Sequence, residues 1–246
     1  MLPFTSVQSG SGPDLPSAPK RISCELALCV GIALMALSVV LVAKSDLGFS
    51  TIDLFYYSLW QIFPQLSFGT WANLFHVIFL AILILLMRRI KLAYVFTFVV
   101  AFGAGRLIDL YTFLLAPLPS GTLVGRILYF LAGFLTIVIG LSVTICCRLP
   151  IYPFDYFTRE VSQHFGIPFK YLRTSLDLFL LFASLALGWF VIGGFPGLGG
   201  GTIVFALFVG ISANQFMRGI RKRFVFTPTF RFSRYVIDAE DEEVKL

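Results

Sequence analysis

"LALCVGIALMALSVVLVA", residues 26–43, runs eighteen residues without a charge, and five more stretches of the chain resemble it. A helix rises ~1.5 Å per residue, so about 20 apolar residues carry it across a ~30 Å hydrocarbon core. Such spans fall at about 25–43, 69–87, 93–115, 124–147, 171–192 and 201–218. With 58% of the 246 residues hydrophobic and 13% charged, no water-soluble domain could hide the apolar surface. A transmembrane barrel would alternate apolar and polar residues over ~10-residue segments, and these Leu/Ile/Val/Phe runs do not alternate. The expected fold is an all-α polytopic membrane protein with six transmembrane helices.

Two shorter amphipathic helices are expected at about 50–63 and 153–165, each after the first span of a set of three. Sliding the chain along itself by 102 residues pairs Gly31 with Gly133, Leu47 with Leu149, Asp53 with Asp155, Phe55 with Phe157, Gln61 with Gln163 and Phe63 with Phe165. Leucine matches carry little weight in such a chain. An aspartate and a glutamine eight apart, inside two similarly placed short helices, carry more. Three crossings per unit turn the second unit upside down, so the expectation is two inverted three-helix repeats, 23–118 and 119–223, each with its amphipathic or re-entrant helix. Residues 1–22 and 224–246 are expected to be cytosolic tails, the first of them flexible.

Positive charge sets the orientation. With the N-terminus inside, the cytoplasmic segments hold Lys20, Arg21, Arg88, Arg89, Lys91, Arg148, Arg159, Lys170, Arg173, Arg218, Arg221, Lys222 and Arg223, while the outer ones hold little beyond Lys44 and Arg126. Both termini are therefore expected in the cytoplasm. The net charge of +6 needs no nucleic-acid partner, because loop bias and anionic headgroups account for it.

The polar residues that interrupt this pattern are the candidate site. "KSDLGFSTID" (44–53) and "RLPIYPFD" (148–155) each precede a short helix and end in aspartate. Ser50 and Asp53 form an S-x-x-D capping pattern, and Pro153 suits a first helical turn. On the first short helix Ile52, Phe55, Leu59 and Phe63 form an apolar face, with Asp53, Tyr57 and Gln61 on another. The two helix N-termini could seat an anion or a polar ligand, so Asp46, Ser50, Asp53, Arg148 and Asp155 are the expected substrate-binding residues. Equally, Asp53 and Asp155 could serve only to cap their own helices. Within the spans, Arg106 and Asp109 share a face at i, i+3 and are expected, with Asp177, Asn214 and Gln215, to gate or couple; Asn73 and His76 lie in the second span.

Other chemistries find no pattern. Cys24, Cys29, Cys146 and Cys147 lack metal-ligand spacing, and His76 and His164 sit in no metalloprotease motif. "GGFPGLGGGT" (193–202) has no P-loop lysine, and its glycines suit a tight turn. No metal, no cofactor and no catalytic constellation is expected, and the chain does not read as an enzyme.

"AKSDLGFSTIDLF", then "LSFGTWANL", and near the end "GFPGLGGGTIVFALFVGISANQF" resemble the YczE/YyaS/YitT family of bacterial integral membrane proteins over about residues 25–220. The D-L-G-x-S-x-x-D string and the G-x-G-T segment carry the likeness. The resemblance implies a multispanning bacterial inner-membrane protein, offers no catalytic residues to transfer, and leaves its activity undefined. The repeat and the intramembrane polar groups point to a gradient-driven permease for a small polar or anionic solute. A non-transporting scaffold or regulator of a partner protein is the alternative. The lipid bilayer is the expected surrounding, and a homo-oligomer or a partner subunit is compatible with either.

Overall fold

The computed structural model describes residues 20–119, 121–147, 149 and 152–229. Among the described residues, six helices are long and apolar enough to cross a bilayer: α1 (Cys24–Ser45), α3 (Phe68–Met87), α4 (Leu92–Leu115), α5 (Leu123–Cys146), α7 (Phe169–Leu187, continued to Ile192 by a π-helical turn) and α8 (Gly200–Arg223). Two short helices, α2 (Thr51–Ile62) and α6 (Pro153–Phe165), follow α1 and α5. Their bounds lie within two residues of the expected ones, except that α8 continues past 218 to Arg223.

Local chemistry sets many of the helix ends. Ser50, Ser67 and Thr122 are N-caps whose side-chain oxygens accept from the backbone N–H three residues on, at 3.3, 3.2 and 3.1 Å. Proline opens α6, and Gly166 ends it in a left-handed conformation at φ 67°.

The tails differ from expectation. Lys20–Ser23 (β1) pairs in parallel with Phe224–Thr227 (β2), and the Glu25 carboxylate accepts the Thr229 N–H at 3.0 and 3.2 Å. Four-residue strands are too short to reveal a period of two, which is why hydropathy missed them. The pairing clasps the start of α1 to the end of α8, so both ends of the bundle lie on one side of it. The outer parts of both expected tails, 1–19 and 230–246, lie outside the described residues.

At the centre α1 crosses α5 antiparallel, through small residues. A Cβ on Gly31 would stand 2.4 Å from Thr144 Cγ2 and 3.0 Å from the Gly140 carbonyl, and one on Gly133 would stand 2.7 Å from Val42 Cγ2 and 3.3 Å from the Ser38 carbonyl. The Ser38 hydroxyl donates to the Gly133 carbonyl at 2.7 Å. Lipid tails are as apolar as leucine, so close backbone approach and such hydrogen bonds hold membrane helices together. The α3–α4 pair uses the same device, with the Gly69 Cα against the Gly105 carbonyl and Gly105 against the Asn73 side chain. The α7–α8 pair lacks it, and their Cα traces hardly approach within 8 Å. Phe49, Tyr56, Phe68, Phe75 and Phe154 form a ring cluster that packs α2 and α6 into the bundle.

Candidate functional site

All eight helices line one cavity of about 620 Å³. What brings α2 to it is the preceding loop. Phe49 N–H donates to the Gly197 carbonyl at 2.9 Å and Gly201 N–H to the Leu47 carbonyl at 2.8 Å, which straps residues 47–49 to the turn before α8. Gly48, at φ 138°, has its Cα so near Thr202 that a Cβ would come within 2.3 Å of the Thr202 nitrogen, and no other residue fits there. The glycine of "DLGFS" is thereby explained. Its job is to turn Ser50, Thr51 and Asp53 onto the cavity wall.

Asp53 is held by hydroxyls. Ser50 Oγ donates to Oδ2 at 2.7 Å and the Tyr56 hydroxyl donates to Oδ1. Burial pushes the Asp53 carboxyl above the ordinary range, opposed by the Tyr56 and Ser50 hydrogen bonds. Burial, and then the charge of Asp53, hold the Tyr56 hydroxyl well above its usual value.

The second cluster spans α6 and α7. Arg173 pairs with Asp155, and its Nε donates to Asp177 Oδ2 at 3.2 Å. Thr51 Oγ1 donates to Asp177 Oδ1 at 3.2 Å, tying α2 to α7, and the guanidinium lies 4.8 Å from the Phe154 ring centre. On the facing wall His76 stacks on Tyr152, with centroids 5.1 Å apart and planes 7° apart. His76 Nδ1 and Thr202 Oγ1 are buried with no hydrogen-bond partner among the described residues, and both residues line the cavity. Buried polar atoms are nearly always satisfied, so these two are exceptions beside the cavity.

Of the expected site residues, the cavity brings together Ser50, Asp53, Asp155 and Asp177. Asp46 stands elsewhere: it ends α1 in a left-handed conformation and pairs with Arg126 at 2.9 Å, while Arg126 Nε donates to the Ser45 carbonyl at 2.7 Å. Arg148 lies outside the described residues. Arg106 and Asp109 do pair, at 3.6 Å, but off the cavity. Asp109 instead accepts from Ser67 Oγ and Gly69 N, both at 2.8 Å, which satisfies orphan donors at the start of α3. Asn214 and Gln215 sit exposed on α8, away from the lining. The polar face drawn for α2 also shifts: Tyr57 is buried against Phe49, Phe68 and Trp60, while Gln61 is exposed, because Trp60 and Tyr57 join the ring cluster.

Sequence reasoning missed Arg173, Tyr56 and Tyr152 and assigned His76 no role. Arg173 stands four residues before Asp177, an i, i+4 ion-pair spacing that would have found it. From the Asp109 geometry, Asp109→Ala is expected to lower stability by about 1 kcal/mol through loss of the α3 contacts, read as a fall in the detergent melting temperature, with nothing changed in the cavity.

Residues 22–218 match a family described as a family of unknown function, DUF6198. The chain belongs to that family. It is also similar to the uncharacterized membrane protein YczE of Bacillus subtilis (strain 168), 28% identical over 183 residues, which is 74% of this chain and 79% of the relative. The family likeness carried by "AKSDLGFSTIDLF" is borne out, and the family match covers every one of the six spans except the last five residues of α8. No solved structure matches.

Proposed function

We propose that this integral membrane protein is a permease whose solute site is the cavity between two inverted three-helix repeats. The observation that carries the proposal is the convergence of the N-terminal ends of both short helices, with Asp53 from one half and Asp155 from the other, on a single cavity lined from every helix.

Support for the inversion comes from reciprocity. At the offset of 102, Gly31, Ser38 and Val42 correspond to Gly133, Gly140 and Thr144. Gly31 meets Thr144 and Gly140, and Gly133 meets Val42 and Ser38. A contact that maps onto itself when its partners are exchanged is the mark of a two-fold axis, and the antiparallel crossing lays that axis across the helices, in the membrane plane. The packing of α2 on α7 is likewise matched by α3 on α6. In this reading α2 and α6 are re-entrant, and gating falls to the Arg173 pairings with Asp155 and Asp177. Asp46, Arg106, Asp109, Asn214 and Gln215 lie off the pathway.

The lining changes the expected solute. Three carboxylates, Asp53, Asp155 and Asp177, line the cavity with one guanidinium, Arg173, so the wall disfavours the anion that helix N-termini alone suggested. A neutral or cationic solute suits it better.

Two expected outcomes follow. Reporter fusions at either terminus should read the cytoplasmic side of a bacterial inner membrane, as the loop charges require. In vesicles, uptake screening against a panel of metabolites and amines should find saturable flux that Asp53→Asn and Asp155→Asn reduce at least tenfold at matched abundance, Asp53→Asn the more, since its motif is intact. No flux and no stabilising solute across the panel would instead favour a scaffold that acts on a partner protein.

A further inference from the structure

We infer that the cavity takes a cationic amphiphile, an amine carried on an apolar tail, which enters sideways from the bilayer between α7 and α8. The inference rests on the permease reading only for its choice of site.

The mouth is defined by residues that line the cavity and are exposed as well. Thr174 and Leu178 on α7, with Ala206 and Gly210 on α8, are such residues, whereas the α4 lining on the opposite wall, from Ala101 to Ile108, is buried. The gap between α7 and α8 has a cause in the sequence. Gly69 and Gly105, which let α3 and α4 close on each other, correspond at the 102 offset to Tyr171 and Leu207. Two bulky side chains replace two hydrogens, and the second pair of helices stands apart.

Depth then decides what the mouth opens to. At ~1.5 Å per residue, Thr174 lies about 8 Å from the start of α7, and Ala206 about 26 Å from the end of α8, which is on the same side. The opening therefore falls within the ~30 Å of hydrocarbon rather than at an aqueous face.

The interior matches the route. Met35, Val39, Ile137, Leu141, Phe205 and Val209 give the cavity an apolar wall, and its volume suits a drug-sized guest. At the polar end the carboxylates outnumber the guanidinium by two, three against one, and protonating either Asp53 or His76 alone still leaves them one ahead. The carboxylate of Asp53 makes its hydrogen bonds with hydroxyls, which a cation could augment, and Tyr56, His76 and Tyr152 also line the cavity. An anion would meet excess like charge. A short hydrophilic cation would leave the apolar wall without a partner.

The test is equilibrium binding of carbon-14 dodecylamine to the purified full chain in lipid nanodiscs, measured against empty nanodiscs. The expected result is one saturable site per chain, competed at least tenfold better by decylamine than by butylamine or dodecanoate. Asp53→Asn should weaken it at least tenfold, and Ala206→Trp, which narrows the mouth, should slow association at least tenfold. Should either variant fail to fold, the wild-type competition decides. Absence of saturable binding overturns the inference, as does equal competition by dodecanoate or by butylamine. Binding without flux of any solute would sink the permease reading and leave the ligand class standing; flux of a short hydrophilic solute without dodecylamine binding would do the reverse.

Discussion

Arg173→Met should destabilise the protein by about 2–3 kcal/mol, because it strands two carboxylates on the cavity wall. Removing one partner of a fully buried ion pair costs ~3–5 kcal/mol. The figure here is lower because the Asp155 side chain is 44% exposed. Methionine keeps the length and much of the packing of the arginine stem, so the loss is mainly one of charge. The double variant Arg173→Met/Asp155→Asn should recover part of the stability, since one stranded charge is then gone. Detergent melting temperatures of the single and double variants measure this, and an Arg173→Met protein as stable as wild type would remove the charge cluster from the account.

The second large effect concerns the α1–α5 crossing. Gly31→Leu should prevent assembly of the bundle, with a cost of about 3 kcal/mol or more, because its Cβ alone would overlap Thr144 Cγ2 at 2.4 Å and press on the Gly140 carbonyl at 3.0 Å. Neither helix can retreat freely, since the Ser38–Gly133 hydrogen bond fixes their separation about two to three turns away. Gly31→Ala should be milder and, unlike Gly31→Leu, should be relieved by Thr144→Ser, which deletes the offending methyl and keeps the hydroxyl. Folded yield and the melting temperature of the pair read the rescue. A Gly31→Leu protein of normal yield would mean that the crossing is not close-packed.

How far the sequence reaches depends on the range of the physics involved. Spans were legible because a bilayer demands unbroken apolar runs, and α2 and α6 because an aspartate, a glutamine and an aromatic spacing recur at one offset. Gly48 was legible as part of a motif but not as a backbone strap, since its constraint is Thr202, over 150 residues away. Asp46 and Asp109 looked like Asp53 in composition. What separates them is long-range pairing, with Arg126 and with the start of α3, which no local pattern encodes. Arg173 was counted toward the cytoplasmic charge bias and so hidden by a rule that fits its neighbour Lys170. Asn214 and Gln215 illustrate the converse: a polar residue at span depth need not face the bundle interior.

The proposed permease requires that the cavity be reached from both sides of the membrane in turn, which is tested most directly at Ala104. This residue lines the cavity, is 3% exposed, and lies about 18 Å along the ~36 Å of α4, near the bilayer midplane. With Cys24, Cys29, Cys146 and Cys147 replaced, Ala104→Cys would be treated with a membrane-impermeant trimethylammonium methanethiosulfonate, in right-side-out and in inverted vesicles. Labelling is expected from both sides, faster than by an anionic sulfonate reagent of the same size. Labelling from one side only, or from neither, in a folded and inserted protein would contradict it.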